Sequence, residues 1–138
     1  MSIKETLSFD DVLLVPGYSD ISTRSDIDLS LPIGSYKPMS LPVFAAPMDT
    51  IMSNEMARVV YSSGARGVMH RYCSIDEQVA LLKGADDEFE CFAAVGITGD
   101  FMERAAAVHA AGAVGICVDV AHGHHISVMR AVTQLKLV

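Results

Sequence analysis

Four apolar runs, each bounded by turn residues, divide most of this chain into parts of similar length. The runs begin at residues 43, 67, 90 and 114, roughly 24 residues apart, and each is followed by a stretch with helical periodicity. That interval is too long for a hairpin and fits a short strand, a helix and two loops. The pattern therefore predicts four successive strand–helix units with parallel strands.

Polar residues that can cap a helix mark where the predicted helices begin. The first three helices are preceded by candidate N-caps at Ser53, Ser74 and Asp100. Glu77 and Glu103 each follow a cap residue by three positions, which is the spacing of a capping box. The predicted helices cover residues 54–63, a stretch opened by residue 74, residues 100–111 with Gly112 as the stop, and residues 125–137.

The composition of the strands favours a barrel. Segments such as FAAVG and GICVDV are apolar throughout, as in a parallel sheet that is covered on both faces or closed on itself. The predicted fold class is α/β, and a (β/α)8 TIM barrel is preferred over a doubly wound sheet. Such barrels need about 250 residues, so the four units of residues 42–138 amount to a half-barrel. Residues 1–41 are interpreted as an N-terminal arm of short strands and turns wrapped on the N-terminal end of the barrel.

Composition and charge exclude several classes of protein. The 138 residues are 51% hydrophobic and 20% charged, which is a globular composition. A net charge of −7 argues against general binding to nucleic acid or to anionic membranes. No apolar run is long enough to span a bilayer and the N-terminus lacks the order of a signal peptide, so we expect a soluble, cytoplasmic protein. The three cysteines, Cys73, Cys91 and Cys117, have no C-x-x-C spacing and are expected to be buried, reduced thiols.

The active site of a (β/α)8 barrel lies at the carboxyl ends of its strands, because the loops there converge on one mouth. This rule selects four segments, residues 47–50, 70–72, 96–99 and 119–125. Asp119 could accept both hydroxyls of a ribose or could cap the following helix, and the residues alone leave the two alternatives open. Arg71 fits a phosphate, a base carbonyl or an ion pair with Asp49 or Asp119, with a structural ion pair somewhat favoured.

Three further features of these segments carry weaker signals. Met48 is by default a core residue. Gly96 and Gly99 match no phosphate-loop fingerprint. The histidines of AHGHH lack a partner carboxylate or cysteine set at metal-ligand spacing, so no metal site is predicted.

Four longer motifs resemble those of one enzyme family. They are LSFDDVLLVP (7–16), AAPMDT (45–50), GVMHRYCSIDEQ (67–78) and VDVAHGHH (118–125). Their order and spacing are similar to those of the IMP dehydrogenase and GMP reductase family, and the resemblance covers essentially the whole chain. It implies a barrel in which a cysteine adds to C2 of a purine nucleotide while hydride passes between C2 and a nicotinamide cofactor.

The resemblance also implies roles for individual residues. The purine mononucleotide would lie against Ala46, Met48 and Asp49, with Arg71 near the reacting base, and Asp119 would bind the nicotinamide ribose of the cofactor. The same cofactor pocket would be bordered by Val120, Ala121, His122 and Gly123. NAD is the expected cofactor, or NADP in a reductase, and the family pattern leaves room for a monovalent cation in the complete enzyme. A homo-oligomer, a tetramer in the family, is the expected assembly.

The sequence departs from the family pattern in ways that bear on the reaction. Ala46 stands where dehydrogenases usually have a serine, and Val120 and Ala121 replace hydroxyl residues, which is closer to the reductases. The paired CBS domains usual in dehydrogenases are missing, since only residues 83–90 separate the second helix from the third strand. SFDDVLLVP, Pro47 and SIDEQ look more like a dehydrogenase. The balance leans slightly to IMP dehydrogenase over GMP reductase.

The catalytic G-x-x-S-x-C-x-T pattern of the family is the largest departure, because none of the three cysteines has that setting. Three hypotheses follow. The chain contributes half an active site, is inactive alone and pairs with a C-terminal half-barrel or a second copy. Alternatively it is a non-catalytic binding or regulatory half-barrel. The third hypothesis, a different barrel enzyme such as a phosphosugar isomerase, is least favoured by the motifs.

Overall fold

The computed structural model describes residues 4–83 and 89–137. Over these residues the elements follow in the order β1 (Leu31–Ile33), β2 (Tyr36–Met39), β3 (Phe44–Ala45), α1 (Asn54–Ser62), β4 (Arg66–Met69), α2 (Ile75–Leu82), β5 (Cys91–Val95), α3 (Phe101–Ala110), β6 (Ile116–Val118) and α4 (Ile126–Leu135). From β3 onward strands and helices alternate, which confirms the four predicted strand–helix units. Residues 84–88 of the predicted short link between α2 and β5 lie outside the described residues.

The main sheet has four parallel strands in the spatial order β3, β4, β5, β6. Gly67 on β4 is in register with Cys91 on β5, and Ala93 on β5 with Ile116 on β6. The order in space is therefore the order along the chain, as in a (β/α)8 barrel. A doubly wound sheet would reverse its order at a switch point, so that alternative does not fit these strands.

The hydrophobic core lies between the sheet and the helices that cover it. Strand β4 is buried along its whole length and β5 almost so. This explains why β5, and β4 after its first residue Arg66, are apolar without alternation. The central cluster consists of Met52, Ala57, Met69, Leu82, Cys91, Ala93, Val108 and Ala113. Burial of these side chains is the main source of stability for the sheet and its helices.

Two of the three predicted helix caps are formed. The N–H of Met56 donates to Ser53 Oγ at 3.1 Å. Ser74 and Glu77 form the predicted capping box, with the Ser74 N–H donating to Glu77 Oε2 at 2.8 Å and the Glu77 N–H donating back to Ser74 Oγ at 3.2 Å. Each bond satisfies a backbone group that the first turn of a helix leaves free.

The predicted capping box at α3 is wrong. Asp100 precedes the helix but makes no side-chain capping bond, and its φ of −80° and ψ of 10° are not the extended values of an N-cap. Its carboxylate instead accepts from Arg104 Nη2 at 2.9 Å, one helical turn further on. The predicted stop at the other end is confirmed, because Gly112 has a φ of +99° that only glycine adopts without strain.

The N-terminal arm only partly matches its prediction. The β1–β2 hairpin packs at the amino ends of the main strands, where Arg66 Nη2 donates to the Lys37 carbonyl at 2.9 Å and Met39 is fully buried. Residues 4–30, in contrast, contain one turn of 3-10 helix at Arg24–Asp26 and no strand. Their apolar side chains are exposed, with Phe9 at 98%, because no surface of the described residues covers them.

Both edge strands of the main sheet pair on one side only within the described chain. Phe44 of β3 and the preceding Val43 are about half exposed. On the other edge, Ile116 and Val118 of β6 line an open apolar cleft with Val132 of α4. Among the described residues, no helix is long and apolar enough to cross a membrane.

Because β5 and β6 pack closely, we predict that Gly115 does not tolerate a side chain. A Cβ at Gly115 would lie 2.4 Å from the Phe92 ring. Gly115→Ala should therefore lower the free energy of unfolding by about 1 to 3 kcal/mol, the usual cost of overpacking. Urea denaturation followed by circular dichroism measures the change. Gly17→Ala is the control, since no atom lies within 4 Å of a Cβ at that position, and an equal loss in both variants would contradict the explanation.

Candidate functional site

The carboxyl ends of the four parallel strands carry the loops that the sequence selected as candidate site segments. Arg71 follows β4 by two residues, Gly96 follows β5 directly, and Asp119 follows β6 directly. Because the strands are parallel and adjacent, these positions meet at one edge of the sheet. The arrangement brings together residues that lie far apart in the sequence.

Arg71 and Asp119 form the centre of this edge. Arg71 Nε lies 3.4 Å from Asp119 Oδ2, and Arg71 Nη2 donates to the Asp119 carbonyl at 3.1 Å. The N–H of Asp119 donates to the Val95 carbonyl at 2.9 Å, which fixes the position of its backbone. About a third of each side chain is exposed, so both charged groups remain open to a ligand.

The guanidinium of Arg71 crosses the end of β5 to reach Asp119. A Cβ at Gly96 would lie 3.6 Å from Arg71 Nη1, so the glycine sits directly beside the arginine. The guanidinium also lies over the ring of Tyr72, 5.2 Å from its centroid. Sequence reasoning did not connect Gly96 or Tyr72 with Arg71, although both stand in segments that it selected by their place after a strand.

Asp119 does not cap the helix that follows it. The N-cap of α4 is His125, whose Nδ1 accepts from the Ser127 N–H at 3.2 Å. The Asp119 carboxylate is in ion-pair contact with Arg71, yet Arg71 Nε is not aligned for a hydrogen bond. Within the described chain this carboxylate accepts no hydrogen bond, so it keeps its capacity to accept donors such as ribose hydroxyls.

The loop after β3 presents its residues to solvent. Ala46, Met48 and Asp49 are all exposed, and the turn is closed by the N–H of Met52 donating to the Met48 carbonyl at 2.8 Å. The expectation that Met48 belongs to the core is wrong, because Met48 is 48% exposed while Met52 fills the core beneath the turn. In the described residues Arg71 forms its ion pair with Asp119 and none with Asp49.

The loop after β6 is the most open part of the edge. Val120 is half-buried, and Ala121, His122 and Gly123 are exposed. The rings of His122 and His125 lie 6.1 Å apart. In residues 4–83 and 89–137, no three His, Cys, Asp or Glu side chains form a group that could hold a metal ion.

The three cysteines are free thiols with raised pKa values. Burial raises the pKa of Cys91 to about 12. Burial also raises the pKa of Cys73, and that of Cys117 is raised by burial and by the neighbouring Asp119 carboxylate. Only Cys91 is buried, whereas Cys73 and Cys117 are half-buried, so the expectation of three buried thiols is wrong for these two, which lie in a loop and on an edge strand. All three are protonated near neutral pH and lack the thiolate that a nucleophile needs.

Comparison with known proteins gives consistent matches. The family model of the IMP dehydrogenase / GMP reductase domain matches residues 6–137. The inosine-5'-monophosphate dehydrogenase of Nitrosopumilus maritimus (strain SCM1) is 44% identical over 78 residues, which is 56% of this chain and 16% of that protein. The enzyme of the same name from Staphylococcus aureus (strain MW2) is 41% identical over 75 residues, 54% of this chain and 15% of that protein.

A solved structure is similar over nearly the whole chain. The crystal structure of inosine 5' monophosphate dehydrogenase from Legionella pneumophila superposes with a TM-score of 0.80 at 36% identity. The match covers 96% of this chain and 41% of that one, so the chain spans well under half the length of the proteins it matches. Such a match confirms the predicted α/β fold, and its partial coverage fits a half-barrel.

The two buried or partly buried arginines of β4 and its loop should differ in their contribution to stability. Arg71→Gln should change the free energy of unfolding by less than about 1 kcal/mol, because its ion pair is partly exposed. Arg66→Gln should lower it by about 2 to 4 kcal/mol, since Arg66 is fully buried against Glu90. Urea denaturation of both variants makes the comparison. A larger loss for Arg71→Gln would mean that the Arg71–Asp119 pair serves the fold and not a ligand.

Proposed function

We propose, since this chain belongs to the IMP dehydrogenase / GMP reductase family, that it supplies the N-terminal half of the catalytic barrel of an IMP dehydrogenase. The complete enzyme would convert IMP, NAD and water into XMP and NADH. The observation that carries the proposal is the match over residues 6–137, joined to an Arg71–Asp119 pair at the edge of the sheet where barrel enzymes bind their ligands.

Asp119 is proposed to bind the nicotinamide ribose. Its carboxylate is partly exposed and, within the described chain, accepts no hydrogen bond, so two hydroxyl donors would find free acceptor oxygens there. Arg71 lies against the carboxylate on one side. A bound nicotinamide dinucleotide supplies the acceptor for the hydride that leaves C2 of the base. The bound dinucleotide would be bordered by Val120, Ala121, His122 and Gly123.

The purine nucleotide is proposed to lie against the loop after β3. Ala46, Met48 and Asp49 are exposed there, and Met48 offers an apolar thioether to the face of a base. Arg71 would approach the base from the neighbouring loop, where its guanidinium can stabilise negative charge on the reacting ring. Since Ala46 has no hydroxyl, the nucleotide would lack a side-chain hydrogen bond at that position.

The nucleophile is proposed to come from outside these residues. Adding a cysteine to C2 requires a thiolate, and the pKa values of Cys73, Cys91 and Cys117 are all raised. The chain alone is therefore expected to be inactive. A C-terminal half-barrel that carries the cysteine loop, or a second copy that closes the sheet, would pair with the open edges of β3 and β6.

GMP reductase is the second candidate function. Ala46, Val120 and Ala121 lack the hydroxyl groups that dehydrogenases usually carry, and these positions favour the reductase. Further residues that discriminate the two reactions are expected in the C-terminal half. NADPH-dependent release of ammonia from GMP would replace the dehydrogenase proposal, and a folded complex without either activity would favour a non-catalytic half-barrel.

The open edges predict that the purified chain is not a monomer. Unpaired strand edges and an uncovered apolar inner face drive association. Light scattering of the chain should give a mass of at least two copies, and an assay with IMP and NAD should give no NADH. Adding a C-terminal half with the cysteine loop should produce NADH and XMP, whereas a C-terminal half with that cysteine changed to alanine should not. Turnover by the chain alone would overturn the assignment.

The proposed role of Asp119 predicts a selective kinetic defect. In the reconstituted enzyme, Asp119→Ala should raise the KM for NAD about tenfold to a hundredfold, the loss expected for a charge-assisted hydrogen-bond pair, with a weaker effect on IMP. Initial rates with each substrate varied in turn measure the split. Asp28→Ala, in the N-terminal arm, is the control and should change neither constant. An unchanged KM for NAD in Asp119→Ala would remove Asp119 from the cofactor site.

A further inference from the structure

A buried polar network joins α2 and α3 behind the candidate site. Gln78 of α2 is fully buried and Arg104 of α3 is only 8% exposed. Arg104 Nη1 donates to Gln78 Oε1 at 3.0 Å, and Gln78 Nε2 donates to the Ala94 carbonyl of β5 at 2.9 Å. Arg104 Nη2 donates to the Cys73 carbonyl at 3.1 Å and to Asp100 Oδ2 at 2.9 Å.

All the groups held by this network lie near the carboxyl ends of the strands. Cys73 is two residues after Arg71 in the loop that follows β4. Asp100 ends the loop that begins with Gly96, and Ala94 is the last residue but one of β5. One guanidinium thus fixes two neighbouring loops to each other and, through Gln78, to the strand between them. Arg71 then extends from the first loop across the second to Asp119.

Stability alone does not explain a buried guanidinium at this place. Burying a guanidinium removes its hydration, and replacement of buried charged groups by packed apolar ones is often neutral or stabilising. What the network provides instead is geometry, because the planar guanidinium of arginine donates its hydrogen bonds only in fixed directions. The loop after β4 carries Arg71, which has to reach the carboxylate of Asp119 at the end of β6. The two side chains can meet only if the position of this loop is fixed.

We infer that Arg104 and Gln78 are positioning residues that hold the loop of Arg71 so that the Arg71–Asp119 pair presents its carboxylate to the cofactor. The identity of the ligand in this inference rests on the proposed function. The hydrogen-bond network itself does not depend on that proposal. Neither residue lies in the mouth. Arg104 acts through the Cys73 carbonyl and the Asp100 carboxylate of the two loops, and Gln78 acts through the backbone of β5. Their loss should loosen the loops after β4 and β5 and weaken cofactor binding more than nucleotide binding.

Arg66 offers a matched control within the same sheet. It is also a buried arginine, with Nη2 on the Lys37 carbonyl and on Glu90 and its guanidinium 4.7 Å from the centre of the Tyr61 ring. It begins β4, so it lies at the opposite end of the strands from Arg71. Loss of Arg66 and loss of Arg104 both remove a buried, multiply bonded guanidinium. Of the two residues, only Arg104 contacts the loops of the mouth.

Hydrogen exchange of the full chain, measured by mass spectrometry, separates the two arginines. Arg104→Met should speed amide exchange in residues 71–75 and 96–100 about tenfold, as expected from losing bonds to a charged donor. Arg104→Lys should restore part of the protection, since an ammonium can keep one or two of the bonds. Arg66→Met should speed exchange near residues 37–41 and leave the mouth unchanged. Faster exchange at both ends in either variant, or none at the mouth in Arg104→Met, overturns the inference.

Two further measurements complete the test. If Arg104→Met does not fold, Asp100→Ala removes only the half-exposed bond and should still raise exchange at residues 71–75 about threefold, and no change there would count against the inference. In the reconstituted enzyme, Arg104→Met should raise the KM for NAD about tenfold and that for IMP less than threefold, and equal rises in both would overturn the link to the cofactor. Failure of the unmodified enzyme to turn over would refute the proposed function while the exchange experiment still decides the positioning role.

Discussion

The backbone pairing of four parallel strands in chain order is the constraint on which the rest of this structure depends. Because all four strands run the same way, their carboxyl ends share one edge, and Arg71 and Asp119 meet there although 48 residues separate them. Parallel strands also require helices between them, and these helices cover the sheet and make its strands apolar throughout. The same pairing leaves β3 and β6 each with one open side in the described chain.

The two ends of the sheet are built differently from the same kinds of residue. At the amino ends, Arg66 is fully buried by the hairpin, the Tyr61 ring and Glu90, which closes that end. At the carboxyl ends, Arg71 and Asp119 stay partly exposed. The buried, hydrogen-bonded side chains at this end are Gln78 and Arg104, which lie behind them on the helices. Barrels commonly separate stability from chemistry in this way, because only the carboxyl face carries the loops that can form a site.

What could be predicted from the sequence was local. The strand–helix alternation, the Ser53 and Ser74 caps and the Gly112 stop depend on residues within about one helical turn, and all were predicted. The predictions that failed did so because a side chain binds a partner other than the one its local pattern indicates. Asp100 has the right spacing for a capping box but binds Arg104, which no pattern of caps reveals.

The core and the candidate site also depend on contacts that local sequence patterns do not reveal. Met48 and Met52 are four residues apart in one turn, and it is Met52 that packs over Gly67 and into the core. Likewise, Arg71 had two candidate carboxylates, and the position of Asp119 beyond Gly96 selected one. The network of Gln78 and Arg104 was missed because polar residues in amphipathic helices usually face solvent, and its members are 26 residues apart.

The charges at the end of β6 are consistent with the proposed division of the active site between two halves. Cys117 lies on the edge strand β6, two residues before Asp119, and its pKa is raised by burial and, to a smaller extent, by that carboxylate. A thiolate placed beside Asp119 would be repelled by the charge that the ribose needs as acceptor, so one strand end cannot readily serve both purposes. Moving the nucleophile to the opposite strands of a closed barrel separates the two negative groups while both still face the same mouth. On this view, the half described here would supply the hydrogen-bond acceptor for the cofactor. Its own thiols stay protonated because burial raises the pKa of all three, and the Asp119 carboxylate adds to that effect at Cys117.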